Sequence, residues 1–195
     1  MAQFVKQGIY TTRVEDITDG ADVAKGAFYN YFASKADLVA ELLLQGIRLL
    51  DETYLRPAAR RRNAPGNRVR DFVERHEAFL SEHPEYALLF HQSRGMLLLE
   101  PDASPKLNEA FRRYLECIVS KLGDGAEAGA GEEEALQHAA ALAGLIAGHR
   151  SFAAAAGLSA DQRLTLELAV RGFSKTAEDR PIAKGVTPPL PTRHD

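Results

Sequence analysis

Apolar residues recur at helical spacing along most of this chain, whereas the alternation typical of β-strands is nearly absent. Between Val69 and Leu80, for example, the apolar side chains fall on one face of a helix. No tight turn separates two runs of β-branched residues, so no hairpin is indicated. The sequence therefore predicts an all-α fold of about nine helices, with four short helices near the N-terminus and five longer ones after them.

Residues that favour helix ends divide the N-terminal part into short elements. A first helix is expected to end at Gly8. Thr12 and Glu15 have the spacing of a capping box and should begin the second helix. Ser34 should cap a longer helix that reaches Tyr54. The second helix and a short third helix before Ser34 are joined by a tight turn. Together these two helices have the dimensions of a helix-turn-helix.

The composition of the chain indicates the cellular compartment in which it is expected to function. It has 195 residues, a formal net charge of −3 and a single cysteine, Cys117. One cysteine allows no internal disulfide and fits a reducing compartment. No apolar run approaches the ~20 residues that cross a bilayer, and no signal peptide is evident. We therefore expect a cytoplasmic protein without a membrane partner, in which any nucleic-acid binding depends on local features.

The segment AKGAFYNYFASK, Ala24 to Lys35, combines aromatic and basic residues in a way that suits neither a core helix nor an ordinary surface helix. A helical wheel separates its residues into two faces. The expected packing face contains Ala24, Phe28, Tyr31 and Phe32. The opposite face contains Lys25, Gly26, Tyr29 and Asn30, with Ala27 at its edge. This second face is either a surface that reads a polyanion or simply a solvated helix face.

The longer stretch TTRVEDITDGADVAKGAFYNYFASKADL resembles the DNA-binding segment of TetR/AcrR-type (tetracycline-repressor-like) transcriptional regulators. The resemblance is close over residues 4–45, and GxFYNYFxSK is its most specific part. It implies that Ala24–Asn30 is the recognition helix, which enters the major groove. The implied groove contacts are Lys25, Gly26, Ala27, Tyr29 and Asn30. The implied phosphate contacts are Thr12, Tyr31 and Lys35, with Arg13 as a further contact to phosphate or base.

The resemblance also implies a division of the chain. Residues 1–45 would form the helix-turn-helix domain and residues 46–176 a helical ligand-binding and dimerisation domain. Residues 177–195 are rich in proline and should form a disordered tail. Only seven residues precede Gly8, so the first helix is expected to be about half the usual length for this family.

A regulator of this kind needs two half-sites and hence a dimer. The last two long helices are the candidates, because small residues let helices approach closely in a four-helix bundle. The candidate interface residues are Leu142, Gly144, Leu145, Gly148, Leu164, Leu168 and Phe173. The alternative is that these two helices pair only within the core of one chain.

The middle helices carry aromatic residues with a few polar ones, a mixture that suits an apolar pocket. The candidate lining residues are His76, Phe79, Phe90, Arg94, Met96, Phe111, Tyr114, His149 and Phe152. Each of them could instead fill the core. No nucleophile–base pair, paired carboxylates or metal-ligand spacing is found, so we expect no enzyme activity, no cofactor and no metal.

Together these features predict a homodimeric regulator, most often a repressor in this family. It would bind a palindromic double-stranded DNA operator and leave it when a small, largely apolar effector binds. The competing prediction is a helical dimer that binds a small molecule but no longer binds DNA. Residues 1–45 carry four cations and six anions, so DNA affinity should depend only weakly on salt.

Overall fold

The structure is a computed structural model that describes residues 1–56, 65–100, 104–122 and 131–174. Over these ranges the chain forms nine α-helices and no strands, so the predicted all-α fold is confirmed. The predicted tail at 177–195 lies outside the described residues. So does the side chain of Phe173, which was predicted to lie at the dimer interface.

The first four helices follow the predicted order. They are α1 (Ala2–Gln7), α2 (Val14–Gly20), α3 (Lys25–Tyr31) and α4 (Lys35–Leu49). Helix α4 continues directly into a π-helical segment, Leu50–Leu55. The remaining helices are α5 (Pro65–Glu82), α6 (Pro84–Leu99), α7 (Pro105–Leu122), α8 (Glu132–Ala155) and α9 (Gln162–Ser174).

Two positive φ angles shape the connections around α2. Helix α1 ends at Gly8, whose φ of 82° is available to glycine without a steric cost. The turn between α2 and α3 contains Asp22 with a φ of 54°. Aspartate tolerates this left-handed conformation better than most residues, because its short side chain can hydrogen-bond locally. The tight turn is thereby formed without glycine.

The start of α2 differs by one residue from the predicted capping box. The backbone N–H of Arg13 donates to Asp16 Oδ2 at 2.8 Å, so the pair at this helix end is Arg13 and Asp16. Thr12 was expected to be the cap but is completely buried. Its hydroxyl donates to the Gly8 carbonyl at 2.6 Å, because the loop after α1 turns this side chain inward.

The apolar core consists of two clusters. The central cluster is formed by α4, the π-helical segment, α5 and α7 to α9, and includes Phe72, Phe79 and Ile118. The N-terminal cluster joins the start of the chain to α4, α6 and α7. Its buried members are Phe4, Ile9, Val39, Ala40, Leu43, Leu89, Leu107 and Ala110. The N-terminal helices therefore share a core with the helices of the larger region.

A buried polar contact reinforces this junction. Asp37 in the first turn of α4 accepts a hydrogen bond from Ser104 Oγ at 2.8 Å, and Lys106 Nζ lies 3.1 Å from its other oxygen. Burial acts to raise the pKa of the Asp37 carboxyl. The hydrogen bonds from Ser104 and Lys106 outweigh that effect and hold the pKa below its usual value. Asp37 thus joins α4 to the N-terminal end of α7 as a carboxylate.

Candidate DNA-reading surface and effector cavity

Helix α3 presents an open polar face. Lys25, Gly26, Tyr29 and Asn30 are all exposed, and Ala27 is half-buried beside them. A Cβ atom added at Gly26 would meet no atom within 4 Å, so no residue that the structure describes covers this face at Gly26. The arrangement matches the predicted reading face in position and in exposure.

The opposite side of α3 is held by Phe28. Its side chain is 6% exposed, and its ring centroid lies 5.4 Å from that of Phe32. The predicted packing face was wrong at two positions, since Ala24 is exposed and Tyr31 is 79% exposed. Tyr31 is the last residue of α3, and its ring is largely in solvent. Its hydroxyl is therefore available for a phosphate contact.

The lysine at the start of α3 is already engaged. Lys25 Nζ forms an ion pair with Glu15 of α2, and both side chains are about half exposed. Their hydrogen bond is the main reason that the pKa of Lys25 is raised and that of Glu15 is lowered. The nearest cation to the groove face is thus partly neutralised before any DNA arrives.

Lys35 does not occupy the predicted phosphate-contacting position. Its ammonium group donates to the carbonyls of Ile9 at 2.6 Å and Thr12 at 2.7 Å, with Tyr10 at 3.3 Å. An ammonium has three hydrogens, so these carbonyls satisfy it completely. Burial lowers the pKa of this side chain. Lys35 therefore holds the loop between α1 and α2 against α4.

Thr12 also leaves the set of predicted DNA contacts, because its hydroxyl is buried and donates to main-chain carbonyls. Arg13, the next residue, is exposed at the N-terminus of α2. Its guanidinium forms no ion pair within the described part of the chain. Arg13 is thus the clearest free cation beside α3.

A cavity of about 240 Å³ lies among α5, α6, α7 and α8. It brings together five of the residues predicted to line a pocket: His76, Phe90, Arg94, Phe111 and Tyr114. The other lining residues were not predicted from the sequence, and most of them are small or polar residues of α8. These other lining residues are Leu80, Ala87, His91, Leu115, Ala140, Ala143, Gly144, Ala147, Arg150 and Ser151.

The four other predicted pocket residues lie elsewhere. Phe79 is fully buried in the central cluster, and Met96 packs against the N-terminal cluster. His149 Nδ1 lies 2.6 Å from Thr165 Oγ1 and connects α8 with α9. Phe152 is 78% exposed, because it lies on the side of α8 that faces away from the cavity. These four positions correct the predicted pocket.

A histidine–tyrosine pair forms one side of the cavity. Tyr114 Oη and His76 Nε2 are 2.6 Å apart. Burial lowers the pKa of His76 to about 3, and the nearby Arg150 adds to this effect. Burial likewise raises the pKa of the Tyr114 phenol. Both groups are therefore neutral at physiological pH.

Arg150, which lines the cavity beside this histidine, belongs to an ion pair. Arg150 Nη1 lies 2.7 Å from Glu77 Oε2, and the Glu77 side chain is 2% exposed. Arg150 also donates to Ser81 Oγ at 3.3 Å. The charge of this arginine is thereby compensated within the protein.

Helices α8 and α9 expose a common apolar face. Phe152 of α8 lies on it, with Leu164 and Leu168 of α9, which are 46% and 48% exposed. Gly148 is half-buried, and the predicted interface residue Leu145 is half-buried and packs against the central cluster. Two predicted interface residues lie elsewhere. Leu142 is fully buried in the central cluster, and Gly144 lines the cavity. Leu142 is on the side of α8 that faces the other helices, whereas Gly144, two residues further on, is on a different side and is exposed.

One contact across the junction was not visible in the sequence. Gln92 of α6 accepts a hydrogen bond from the backbone N–H of Ile9 at 2.6 Å. The same amide lies against Gly8, where an added Cβ would come within 3.2 Å of it. Because Phe90, His91 and Arg94 of this helix line the cavity, α6 contacts both the cavity and the N-terminal loop.

Within residues 1–56, 65–100, 104–122 and 131–174, none of the helices combines the length and the hydropathy of a membrane span. No three His, Cys, Asp or Glu side chains in these ranges come together as ligands for a metal ion.

The fold and the open α3 face define a helix-turn-helix protein with a larger helical region. Residues 1–42 match the profile of the bacterial regulatory proteins of the tetR family. The chain is 29% identical over 129 residues to the HTH-type transcriptional repressor KstR2 of Mycobacterium tuberculosis. It is 26% identical over 117 residues to an uncharacterized HTH-type transcriptional regulator in the lacX 3'region of Lactococcus lactis.

These alignments cover 66% and 60% of this chain, and 63% and 57% of the respective relatives. Solved structures share the fold. PfmR, a TetR family transcriptional regulator from Thermus thermophilus, aligns with a TM-score of 0.58 at 21% identity, over 87% of this chain and 93% of its own. The fatty acid degradation regulator FadR from Bacillus halodurans aligns with a TM-score of 0.63 at 18% identity, over 91% of each chain. The resemblance to the TetR family is thereby confirmed, and the comparisons support a TetR-type regulator.

Proposed function

We propose that this protein is a transcriptional repressor that binds a palindromic operator as a homodimer and is released by a small, largely apolar effector. The observation that carries the proposal is the uncovered face of α3, on which Lys25, Gly26, Tyr29 and Asn30 are exposed opposite the buried Phe28. A helix anchored on one side and polar on the other suits insertion into the major groove. The tetR-family profile over residues 1–42 supports the same role.

The dimer would form through the apolar face of α8 and α9. Gly148 offers close approach, since an added Cβ there meets no atom within 4 Å. Phe152 and Leu168 supply apolar area that the chain itself leaves exposed. Two helices from each subunit would then form a four-helix bundle. The two copies of α3 would have to be one DNA turn apart, ~34–36 Å, to read adjacent half-sites.

Effector binding would release the protein from DNA through α6, because this helix contacts both the cavity and the N-terminal loop. An effector in the cavity contacts α6 through Phe90 and Arg94, and the same helix holds the loop before α2 through Gln92. Helix α4 is bound to α7 by Asp37 and should move with it. A shift of these helices changes the distance between the two α3 helices, which lowers the affinity for both half-sites together.

The proposal is tested by DNA binding with the full chain. Fluorescence anisotropy is measured on the duplex upstream of the chain's own gene and on a scrambled duplex. The double variant Lys25→Ala with Tyr29→Ala should bind the specific duplex about tenfold more weakly or worse, the cost of losing one or two good contacts. Arg113→Ala, at an exposed arginine of α7, is the control and should bind normally.

A second candidate function is favoured by the charge of the reading region. Its lysines are engaged by Glu15 and by main-chain carbonyls, which suits a ligand-binding dimer that does not bind DNA. If the chain is a folded dimer that binds neither duplex, this second function replaces the first.

A further inference from the structure

We propose that the effector cavity binds a compact carboxylic acid, with the carboxylate on Arg94 and the apolar body against the walls of α6, α7 and α8. This inference deepens the effector part of the proposed function and rests on it. It names a chemical class for a ligand that the family likeness leaves open.

The walls of the cavity are mostly hydrocarbon. Aromatic rings come from Phe90 and Phe111, whose centroids are 6.1 Å apart, and aliphatic side chains from Leu80 and Leu115. Helix α8 contributes three alanines and a glycine besides Arg150 and Ser151, so most of this wall has no bulky side chain to fill the space. The body of a ligand in this space must be apolar, because the walls offer few hydrogen bonds to a polar one.

The charge of the cavity is positive. Among its lining residues are two arginines, and none of them is an aspartate or a glutamate. The charge of Arg150 is compensated by Glu77 at 2.7 Å. Arg94 has no ion pair or hydrogen bond from its side chain within the described ranges. One uncompensated guanidinium thus remains in the wall of an apolar cavity.

The other titratable groups that face this space do not offset that charge. His76 and Tyr114 hydrogen-bond to each other, and both are neutral at physiological pH. His91 Nδ1 lies 3.3 Å from Ser151 Oγ. Arg94 is close enough to Tyr114 that its charge acts on the phenol. A half-buried guanidinium next to apolar walls is best satisfied by a planar anion, and a carboxylate matches its two-pronged geometry.

The volume limits the size of the acid. About 240 Å³ corresponds to roughly eight water-sized groups. A medium-length acid such as octanoate or 4-phenylbutanoate suits this space, whereas hexadecanoate requires the helices to separate. The acid would place its carboxylate two residues along α6 from Gln92, and so act on the helix that holds Ile9.

Isothermal titration calorimetry on the full chain near neutral pH tests the inference. The probes are octanoate and 4-phenylbutanoate, each compared with its alcohol, 1-octanol or 4-phenyl-1-butanol. At least one acid should bind about tenfold more tightly than its alcohol, which is the gain of one charge-assisted contact. Octylamine should bind more weakly than 1-octanol.

The variant Arg94→Gln should remove the preference for the acid while alcohol binding stays within about twofold. Arg94→Lys should keep part of the preference, because it restores the charge without the planar fork. Circular dichroism checks that both variants are folded. Equal affinity for acid and alcohol, an undiminished preference in Arg94→Gln, or no binding of any probe overturns the inference.

The anisotropy assay of operator binding distinguishes a failure of the ligand-class inference from a failure of the proposed repressor function. If operator binding persists but no acid releases the protein or binds to it, only the ligand class is wrong. If an acid binds at Arg94 but no duplex is bound, the ligand class stands and the repressor proposal is wrong.

Discussion

Lys25 and Lys35 show how differently two lysines of one short segment can be used. Lys25 lies on the open face of α3 in an exposed ion pair with Glu15. Lys35 donates to carbonyls of the loop after α1 and is partly desolvated. Only Lys25 can change partners on the surface, since an exposed ion pair is weak and exchanges easily with a phosphate. In the proposed DNA complex, Glu15 would therefore compete directly with phosphate for Lys25.

We predict that Glu15→Gln strengthens operator binding about three- to tenfold at low salt, because it frees Lys25 for a phosphate. The dependence of log affinity on log salt should steepen by about one unit per subunit. Anisotropy titrations over a salt series measure both effects. The matched control is Glu41→Gln, which removes the same charge from an ion pair with Arg48 on α4. Equal effects of the two variants would show that overall charge, rather than Lys25, is responsible.

At the scale of elements, the helices were largely predictable but their partners were not. Spacing and capping residues predicted the nine helices, since these signals are local. The role of Lys35 depends on carbonyls 23 to 26 positions away, and that of Gln92 on Ile9, 83 positions away. No local pattern encodes such contacts.

The faces of α8 illustrate the same limit. Its run of alanines and glycines predicts close approach to another helix, but the helix has three different sides: one faces the central cluster, one the cavity, and one is exposed. Leu142, Gly144 and Phe152 each lie on a different one of these sides. Composition cannot assign them, because a helix rich in small residues carries only a weak apolar asymmetry.

The exposed face of α8 and α9 leads to a prediction about assembly. If the proposed dimer forms through this face, Leu168→Glu should yield a monomer and abolish operator binding, since a carboxylate buried in an apolar interface lacks a partner. Sedimentation velocity measures the mass. The control is Leu98→Glu on α6, because Leu98 is 84% exposed and lies outside this face. Dissociation by the control, or a dimeric Leu168→Glu, would place the interface elsewhere.

At the scale of the whole molecule, the N-terminal cluster links the stability of the first helices to that of the larger region. Phe4 and Ile9 share a buried core with Leu89 of α6 and Leu107 of α7. Residues 1–45 therefore do not bury their apolar surface on their own, and the short α1 is stabilised by the larger region. Cooperative unfolding of the described helices follows from this shared core.

We predict that acid destabilises the whole fold through His76. Its pKa is about 3 in the folded chain and 6.5 in the unfolded one, so the unfolded state binds a proton first as the pH falls. The free energy of unfolding should decrease by about 1.4 kcal/mol per pH unit between these two values. Urea unfolding at several pH values measures the slope. His76→Gln should flatten it, whereas His91→Gln, at an exposed position, should not.

Lys25 is ion-paired with Glu15, and Lys35 is hydrogen-bonded to main-chain carbonyls. These contacts would affect how the protein finds its operator. Long-range attraction to arbitrary DNA comes from free cations, and this surface offers few of them. The protein would therefore slide little along the chromosome and reach its site mainly by repeated three-dimensional collisions. Non-specific DNA then sequesters only a small fraction of the molecules. Occupancy of the operator would follow the number of copies in the cell almost directly.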